Sequence, residues 1–170
     1  MRSPMSKTKR LCFMAVLTAI ALTLYVVEAQ LPPPVPIPGV KYGLSNIITL
    51  SAMLLLGRRE AGAILLVRIL LGSMFTGGVA ALMYSLAGGV LAYVVMCVMT
   101  AVLDEKLLWV VGALGGVAHN AGQLVVCVLI VKTPGVFAYA PVLAVSGIVC
   151  GVFTGIAARQ LFRALRKYKS

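Results

Sequence analysis

The sequence predicts an all-α integral membrane protein with six transmembrane helices and both termini in the cytoplasm. Of its 170 residues, 61% are hydrophobic and only 11% are charged. The mean hydropathy is +1.05, and the apolar residues fall into six separate runs. A soluble domain of this length has too little interior to bury so much apolar surface. We expect a single transmembrane domain over residues 11–161, between a basic cytoplasmic N-terminus (1–10) and a basic cytoplasmic tail (162–170).

The first apolar run, residues 11–29, follows a basic flank and in this respect imitates a signal peptide. No convincing small-residue cleavage site comes after it, so we predict a retained helix. A connection over residues 30–41 follows, with prolines at positions 32, 33, 34, 36 and 38. Proline excludes a regular helix here. We therefore expect a stiff, extended loop on the outer side of the membrane.

The second and third runs, residues 42–56 and 61–75, are short for a bilayer that needs roughly 20 residues per helix. A re-entrant hairpin is the alternative. It would place Arg58, Arg59 and Glu60 inside the membrane, at about 2.5–3.5 kcal/mol for each charge near the centre. Two short crossings packed inside a bundle cost less, and we predict those.

The remaining three runs, residues 79–103, 107–131 and 137–161, are each long enough to span a bilayer. Charged or helix-breaking residues separate them, namely Asp104-Glu105-Lys106 and Lys132-Thr133-Pro134-Gly135. These boundaries complete a six-helix pattern in which no segment suits a soluble domain.

The net charge is +11. The basic residues that produce it lie at the ends of the predicted helices, as membrane topology requires, and do not form a stripe that would bind nucleic acid. With a cytoplasmic N-terminus, only Lys41 and Lys132 face outward, and Arg68 lies within a helix. All other basic residues then face the cytoplasm, where lysine and arginine accumulate in membrane proteins. These are Arg2, Lys7, Lys9, Arg10, Arg58, Arg59, Lys106, Arg159, Arg163, Arg166, Lys167 and Lys169.

Polar side chains inside the apolar runs are the candidate binding residues. In the fifth run, His119 and Gln123 are four residues apart and share a helix face, with Asn120 beside them. Arg68 lies near the middle of the third run. Each of these residues could instead have a purely structural role. The polar side chains could hydrogen-bond between membrane helices, and Arg68 could pair with a carbonyl or with Glu28.

The predicted topology brings these polar residues together in the outer half of the membrane. Intramembrane charges mark functional sites more often than not. We therefore predict a substrate site in which residues 32–38 of the proline-rich loop act as a lid. Its predicted members are Arg68, His119, Asn120, Gln123, Asn46 and Lys41.

Catalytic chemistry finds little support in the sequence. Asp104 is the only aspartate, so the paired aspartate-rich segments that hold magnesium against a diphosphate are missing. There is no GxxxxGK[ST] loop for a nucleotide. The four cysteines are isolated, and the lone histidine has no nearby ligand partner in sequence. We predict no catalytic residue, metal site or cofactor, and hence a protein that is not an enzyme.

Small residues at four-residue spacing predict where helix backbones approach closely. Gly112 and Gly116 form such a line on the fifth helix, and the sixth helix carries a longer line over Gly147, Gly151 and Gly155. We interpret both as packing inside the bundle. Ala15 and Ala19 form a third line on the first helix, which suits contact with another protein.

Four segments together resemble a known family. They are Pro38-Gly39-Val40-Lys41-Tyr42-Gly43-Leu44-Ser45-Asn46, Val67-Arg68-Ile69-Leu70-Leu71-Gly72, Tyr84-Ser85-Leu86-Ala87-Gly88-Gly89 and His119-Asn120-Ala121-Gly122-Gln123-Leu124. This combination resembles the Gx transporter family, also labelled heptaprenyl diphosphate synthase component I. That family is similar to the substrate-binding S components of energy-coupling factor (ECF) transporters. The resemblance covers about residues 9–161.

The resemblance implies a six-helix plasma-membrane subunit that binds a small vitamin- or quinone-precursor-like solute near the outer face. It also implies partners, namely a membrane coupling protein, contacted through Ala15 and Ala19, and two cytoplasmic ATPases. Two alternatives stay open at this point. One is a membrane accessory component of heptaprenyl diphosphate or menaquinone biosynthesis without catalytic residues of its own. The other is a self-sufficient secondary transporter or channel; the lack of acidic residues within the helices argues against a proton-coupled carrier.

Overall fold

A computed structural model describes residues 6–32, 41–76 and 78–166 of the chain. Residues 33–40 lie outside the described part, and with them most of the predicted proline-rich lid. The predicted inner-side residues Arg2, Lys167 and Lys169 lie outside it as well.

The described residues form six α-helices, one for each predicted apolar run, and no strand. A short 3-10 turn, Glu105–Leu107, precedes the fifth helix, and another, Pro134–Tyr139, precedes the sixth. The helices are α1 (Lys7–Glu28), α2 (Asn46–Leu55), α3 (Arg58–Thr76), α4 (Gly78–Val102), α5 (Leu108–Val131) and α6 (Ala140–Arg166).

Four segments of the described chain are long and apolar enough to cross a membrane. They are Lys7–Glu28, Gly78–Val102, Glu105–Val131 and Gly135–Arg166. Their outward surfaces are apolar, as the lipid phase requires; Val102 and Val145, for example, are 75% and 62% exposed. The protein is therefore an all-α membrane bundle, which confirms the predicted class.

The short helix α2 lies inside this bundle and packs against α1, α3, α4 and α6. Eight of its residues are buried: Asn46, Ile48, Thr49, Leu50, Ser51, Ala52, Met53 and Leu55. With 10 residues it is about 15 Å long, roughly half the thickness of a bilayer core. A helix this short is stable at membrane depth because the longer helices surround it.

The predicted second run began at residue 42, but the helix begins only at Asn46. Gly43 has a φ of +80°, a left-handed conformation that interrupts a helix and that glycine adopts without strain. The backbone N–H groups of Lys41, Gly43 and Leu44 are bound instead by side chains of other helices. Irregular backbone at membrane depth needs such internal partners, so the packed bundle permits this extended entry to α2.

Helix α5 packs closely on both sides through glycines. On the side of α6, a Cβ on Gly112 would collide with backbone atoms of Gly151 and Gly155, and one on Gly116 with the carbonyl oxygen of Gly147. On the side of α4, a Cβ on Gly122 would lie 2.6 Å from the carbonyl oxygen of Ala87. The predicted close packing of the two glycine lines is confirmed.

Ion pairs at the end of the bundle that carries both termini join neighbouring helices. Arg10 of α1 pairs with Glu60 of α3. The turn before α5 is joined to α6 in the same way: Nε of Arg163 lies 2.8 Å from Oε1 of Glu105, and Nη1 of Arg166 lies 3.9 Å from Oε2 of Glu105. All of the described ion pairs are at this end, so the polar side chains in the bundle interior are held by hydrogen bonds.

Candidate functional site

The guanidinium of Arg68 is the central feature of the polar interior. Arg68 lies in the middle of α3 and is only 2% exposed. Its Nη1 donates to Oγ of Ser45, and its Nη2 donates to Oδ1 of Asn46 at 3.1 Å. No carboxylate pairs with it among the described ion pairs. Its hydrogen-bond partners are thus neutral, and the negative charge near it is that of Glu28, which lines the same cavity.

Asn46 joins this arginine to the histidine of α5. While its Oδ1 accepts from Arg68, its Nδ2 lies 3.5 Å from Nδ1 of His119. Gly43 leaves space for these two side chains, because a Cβ there would come within 3.0 Å of both Nδ2 of Asn46 and the ring of His119. The glycine is thus required both by its positive φ and by the space that its neighbours occupy.

Gln123 and Lys41 form the second side of the cluster. Gln123 is fully buried, and its Oε1 accepts from the backbone N–H of Lys41 at 3.2 Å. The ammonium of Lys41 lies 3.5 Å from the centroid of the Tyr25 ring, a cation–π contact. This contact directs the lysine inward, so its charge adds to that of Arg68 and does not extend to the membrane surface.

Helix α1 supplies a carboxylate and a phenol to the same region. Glu28 is 3% exposed and accepts the backbone N–H groups of Gly43 and Leu44. Its carboxylate therefore anchors the segment that leads into α2. The hydroxyl groups of Tyr25 and Ser85 lie 2.7 Å apart, which joins α1 to α4. The sequence offered Glu28 only as a possible partner of Arg68; its burial makes it part of the site.

Two glycines outside α5 provide room for these side chains. A Cβ on Gly88 of α4 would lie within 3.0 Å of His119 and Gln123. A Cβ on Gly72 of α3 would collide with the Tyr25 ring, about 2.5 Å from Cε1. Each lies in one of the four segments that carry the family resemblance, which gives those glycines a steric explanation.

Asn120 differs from the other predicted site residues. It is buried, but its Nδ2 donates to the backbone carbonyl of Leu143 at 2.7 Å, so it links α5 to α6. The neighbouring His119 and Gln123 contact the segment before α2 and the start of α2. One step along a helix rotates a side chain by about 100°, and this rotation separates Asn120 from the cluster.

The cluster surrounds a cavity of about 10 Å³, which is lined by Tyr25, Glu28, Lys41, Gly43, Ser45, Arg68, Ser85 and His119. That volume holds about one water molecule. The buried Nζ of Lys41, Nε of Arg68 and Nε2 of Gln123 have no hydrogen-bond partner. All three are donors, and with Arg68, Lys41 and Glu28 as the charged members the cluster has a net charge of about +1.

We call this group of residues the polar cluster. Its composition predicts affinity for a solute with an anionic or acceptor-rich group. The oxygen atoms of an ionised carboxylate or phosphate accept hydrogen bonds and would satisfy the unpaired donors. The cavity, however, is too small for any such solute, so binding requires displacement of the segment that contains Lys41 and Gly43.

Asn120 and Gln123 should respond differently to truncation. We expect Asn120→Ala to lower the thermal stability of the detergent-purified protein, since it removes a buried link between α5 and α6 worth about 0.6 kcal/mol and at most about 1.7. Gln123→Ala also removes a buried hydrogen bond, so it should lower stability to a similar extent. It should in addition reduce retention of a co-purifying solute, which Asn120→Ala should leave unchanged. Unfolding temperatures and solute content measured on both variants check this, and the reverse pattern would contradict it.

The sequence did not single out Tyr25, Ser45 or Ser85 as members of the site. Tyr25 and Glu28 are three residues apart and thus share a face of α1, a signal that was available. The sequence contains no such signal for the two serines, because a single hydroxyl in an apolar run usually hydrogen-bonds to the backbone of its own helix. Only the contacts with Arg68 and Tyr25 distinguish them.

Within the part of the chain that the structure describes, no three His, Cys, Asp or Glu side chains are close enough to hold a metal ion. Ala15 and Ala19, the predicted partner contacts, are both exposed on α1. They precede Tyr25 and Glu28 on the same helix and do not line the cavity of the polar cluster.

The fold and the polar cluster together define a helical membrane protein with a cationic, buried site between its helices. The chain belongs to the heptaprenyl diphosphate synthase component I family, whose model matches residues 17–161. This confirms the family predicted under that description. No curated protein and no solved structure matches the chain.

Proposed function

We propose that this protein is the solute-binding membrane subunit of an importer of the ECF type, an S component, and that its solute is small and anionic. The observation that carries the proposal is the polar cluster, where two buried cations and a buried amide keep unpaired donors around a closed cavity. Unpaired buried donors cost about 1–3 kcal/mol each. A ligand that satisfies them recovers this cost, which is an arrangement suited to binding.

In this proposal all six helices cross the plasma membrane and both termini are cytoplasmic. The charge distribution supports this orientation, because most of the arginines and lysines that the structure describes lie at the end of the bundle where α1 begins and α6 ends. The polar cluster then faces outward. Solute enters when the segment around Lys41 moves away from Gln123. This movement breaks the hydrogen bond to Gln123 and the contact of Lys41 with Tyr25, and at Gly43 it also breaks a hydrogen bond to Glu28.

The site needs no bond-making chemistry in this role, so we propose a binding protein and not an enzyme. Transport energy would come from partners: a membrane coupling protein and two cytoplasmic ATPases. The exposed Ala15 and Ala19 on α1 are the proposed contact with the coupling protein. A second candidate function is an accessory membrane component of heptaprenyl diphosphate synthesis. The family description favours it, and the donors of the polar cluster would equally suit a phosphate group.

Affinity purification of the tagged full-length chain from its native membrane separates the two candidates. We expect a coupling protein and ATPases to co-purify, with a small carboxylate or other anionic solute detected by mass spectrometry. Ala15→Leu/Ala19→Leu should reduce the yield of the partners at least severalfold, because the larger side chains prevent close approach. Ala80→Leu/Ala101→Leu on the exposed surface of α4 is the matched control.

Two outcomes would count against the importer proposal. Recovery of a soluble prenyl synthase without any ATPase would favour the accessory role. Equal loss of partners in the two double variants would remove the assignment of the α1 surface, even if the importer itself were confirmed.

A further inference from the structure

A cleft at the opposite end of the bundle has a composition unrelated to the polar cluster. It lies between the starts of α1 and α3, has a volume of about 370 Å³, and is lined by Lys7, Arg10, Leu11, Met14, Arg59, Glu60 and Ala63. Three lining residues are basic and one is acidic. Since Glu60 is already paired with Arg10, the cleft has a net charge of about +2.

The charges are arranged unfavourably for the two helices that carry them. An α-helix has a positive N-terminus that acidic residues stabilise and basic residues destabilise. The first turn of α1 has no acidic residue, and that of α3 has Glu60 next to Arg58 and Arg59. Two positive helix ends and their basic side chains thus face one cleft, and a bound anion would offset this repulsion.

The cleft changes from polar to apolar along the helix axes. Leu11 lies one turn beyond Lys7, and Ala63 lies one turn beyond Arg59, a step of about 6 Å. An exposed apolar track continues along α3 through Leu66, 48% exposed, and Leu70, 57% exposed. An anionic head group at the cleft, with a hydrocarbon chain lying along the outer surface of α3, would match this order of surfaces.

We infer that the cleft binds an anionic phospholipid, with its phosphate between Lys7 and Arg59 and an acyl chain along Ala63, Leu66 and Leu70. Basic pockets between membrane helices on the cytoplasmic side recognise such head groups. Arg10 is less available, because its guanidinium pairs with Glu60 and also donates to the carbonyl oxygen of Leu56. The lipid would clamp α1 to α3 at the end that a membrane partner would approach.

The test compares two double variants of the full-length protein in detergent, each of which removes two positive charges. Lys7→Gln/Arg59→Gln alters the cleft. Lys9→Gln/Lys106→Gln alters basic residues that are exposed and do not line it. Binding of dioleoyl-phosphatidylglycerol is measured by native mass spectrometry, together with the unfolding temperature at increasing lipid concentration. Dioleoyl-phosphatidylcholine and inorganic phosphate are the comparison ligands.

We expect phosphatidylglycerol to bind and stabilise the wild type and the control variant. The cleft variant should bind it about tenfold more weakly, because two of the three basic side chains of the cleft are lost and only Arg10 remains. Circular dichroism establishes that both variants are folded. Lys7→Arg/Arg59→Lys, which keeps both charges, should recover most of the affinity.

Three results would overturn the inference. Equal weakening in both double variants would mean attraction to the whole basic surface. Equal binding of phosphatidylcholine would mean that the phosphatidylglycerol charge is not recognised. Unchanged lipid binding together with loss of a co-purifying membrane protein from the cleft variant would identify the cleft as a protein-docking surface.

Discussion

Arg68→Met should abolish retention of an anionic solute while the protein stays folded and extractable. Methionine fills most of the arginine volume without its charge. Burial of a charge carries a desolvation cost, which methionine at this position removes, although the exchange leaves Ser45 and Asn46 without their donor. Loss of a desolvated charge partner typically weakens binding by about 2–5 kcal/mol, so affinity should fall by about 30-fold or more.

Mass spectrometry of the small molecules that co-purify with each variant measures this loss, as moles of solute per mole of protein. Lys132→Met removes an exposed positive charge at the end of α5 and is the control for charge alone. Arg68→Lys keeps the charge but not the paired donors, and it should retain an intermediate amount. Wild-type solute content in folded Arg68→Met would contradict the assigned role of the arginine.

Gly151→Ala should destabilise the bundle even though alanine is the better helix former. The exchange gains about 1 kcal/mol in helix propensity. The new Cβ would collide with the carbonyl oxygen of Gly112 and would lie 2.7 Å from Cα of Ala113. Backbone atoms cannot rotate away as a side chain can, so α5 and α6 must separate. Overpacking costs typically about 1–3 kcal/mol, and Gly151→Val should cost still more.

Thermal unfolding in detergent, followed by the fluorescence of Trp109, measures the destabilisation. This is the only tryptophan of the sequence, and its Cα lies against Gly155 in the same helix contact. Val149→Leu also adds a single carbon atom to α6, but at a position that is 64% exposed, so it should leave the unfolding temperature unchanged. An unfolding temperature for Gly151→Ala equal to the wild type would show that the helices accommodate a Cβ.

The polar cluster was only partly predictable. The four-residue spacing of His119 and Gln123 placed both on one face of α5, and both lie in the cluster. Adjacent Asn120 was predicted with them, yet its side chain binds the backbone of α6. Sequence spacing gives the angle between side chains of one helix, but which neighbouring helix each side chain faces depends on how that helix is rotated in the bundle.

The sequence by itself determined the membrane class, the positions of six helices and the glycine lines that join α5 to α6. Each of these follows from hydropathy or spacing along a continuous segment, which are local properties of the chain. Tertiary structure decided that α2 begins at Asn46, that Glu28 is buried beneath the segment before it, and that Tyr25, Ser45 and Ser85 complete the polar cluster. Those features depend on hydrogen bonds between residues distant in sequence, for example the 60 positions between Tyr25 and Ser85, and only the packed bundle brings them within reach.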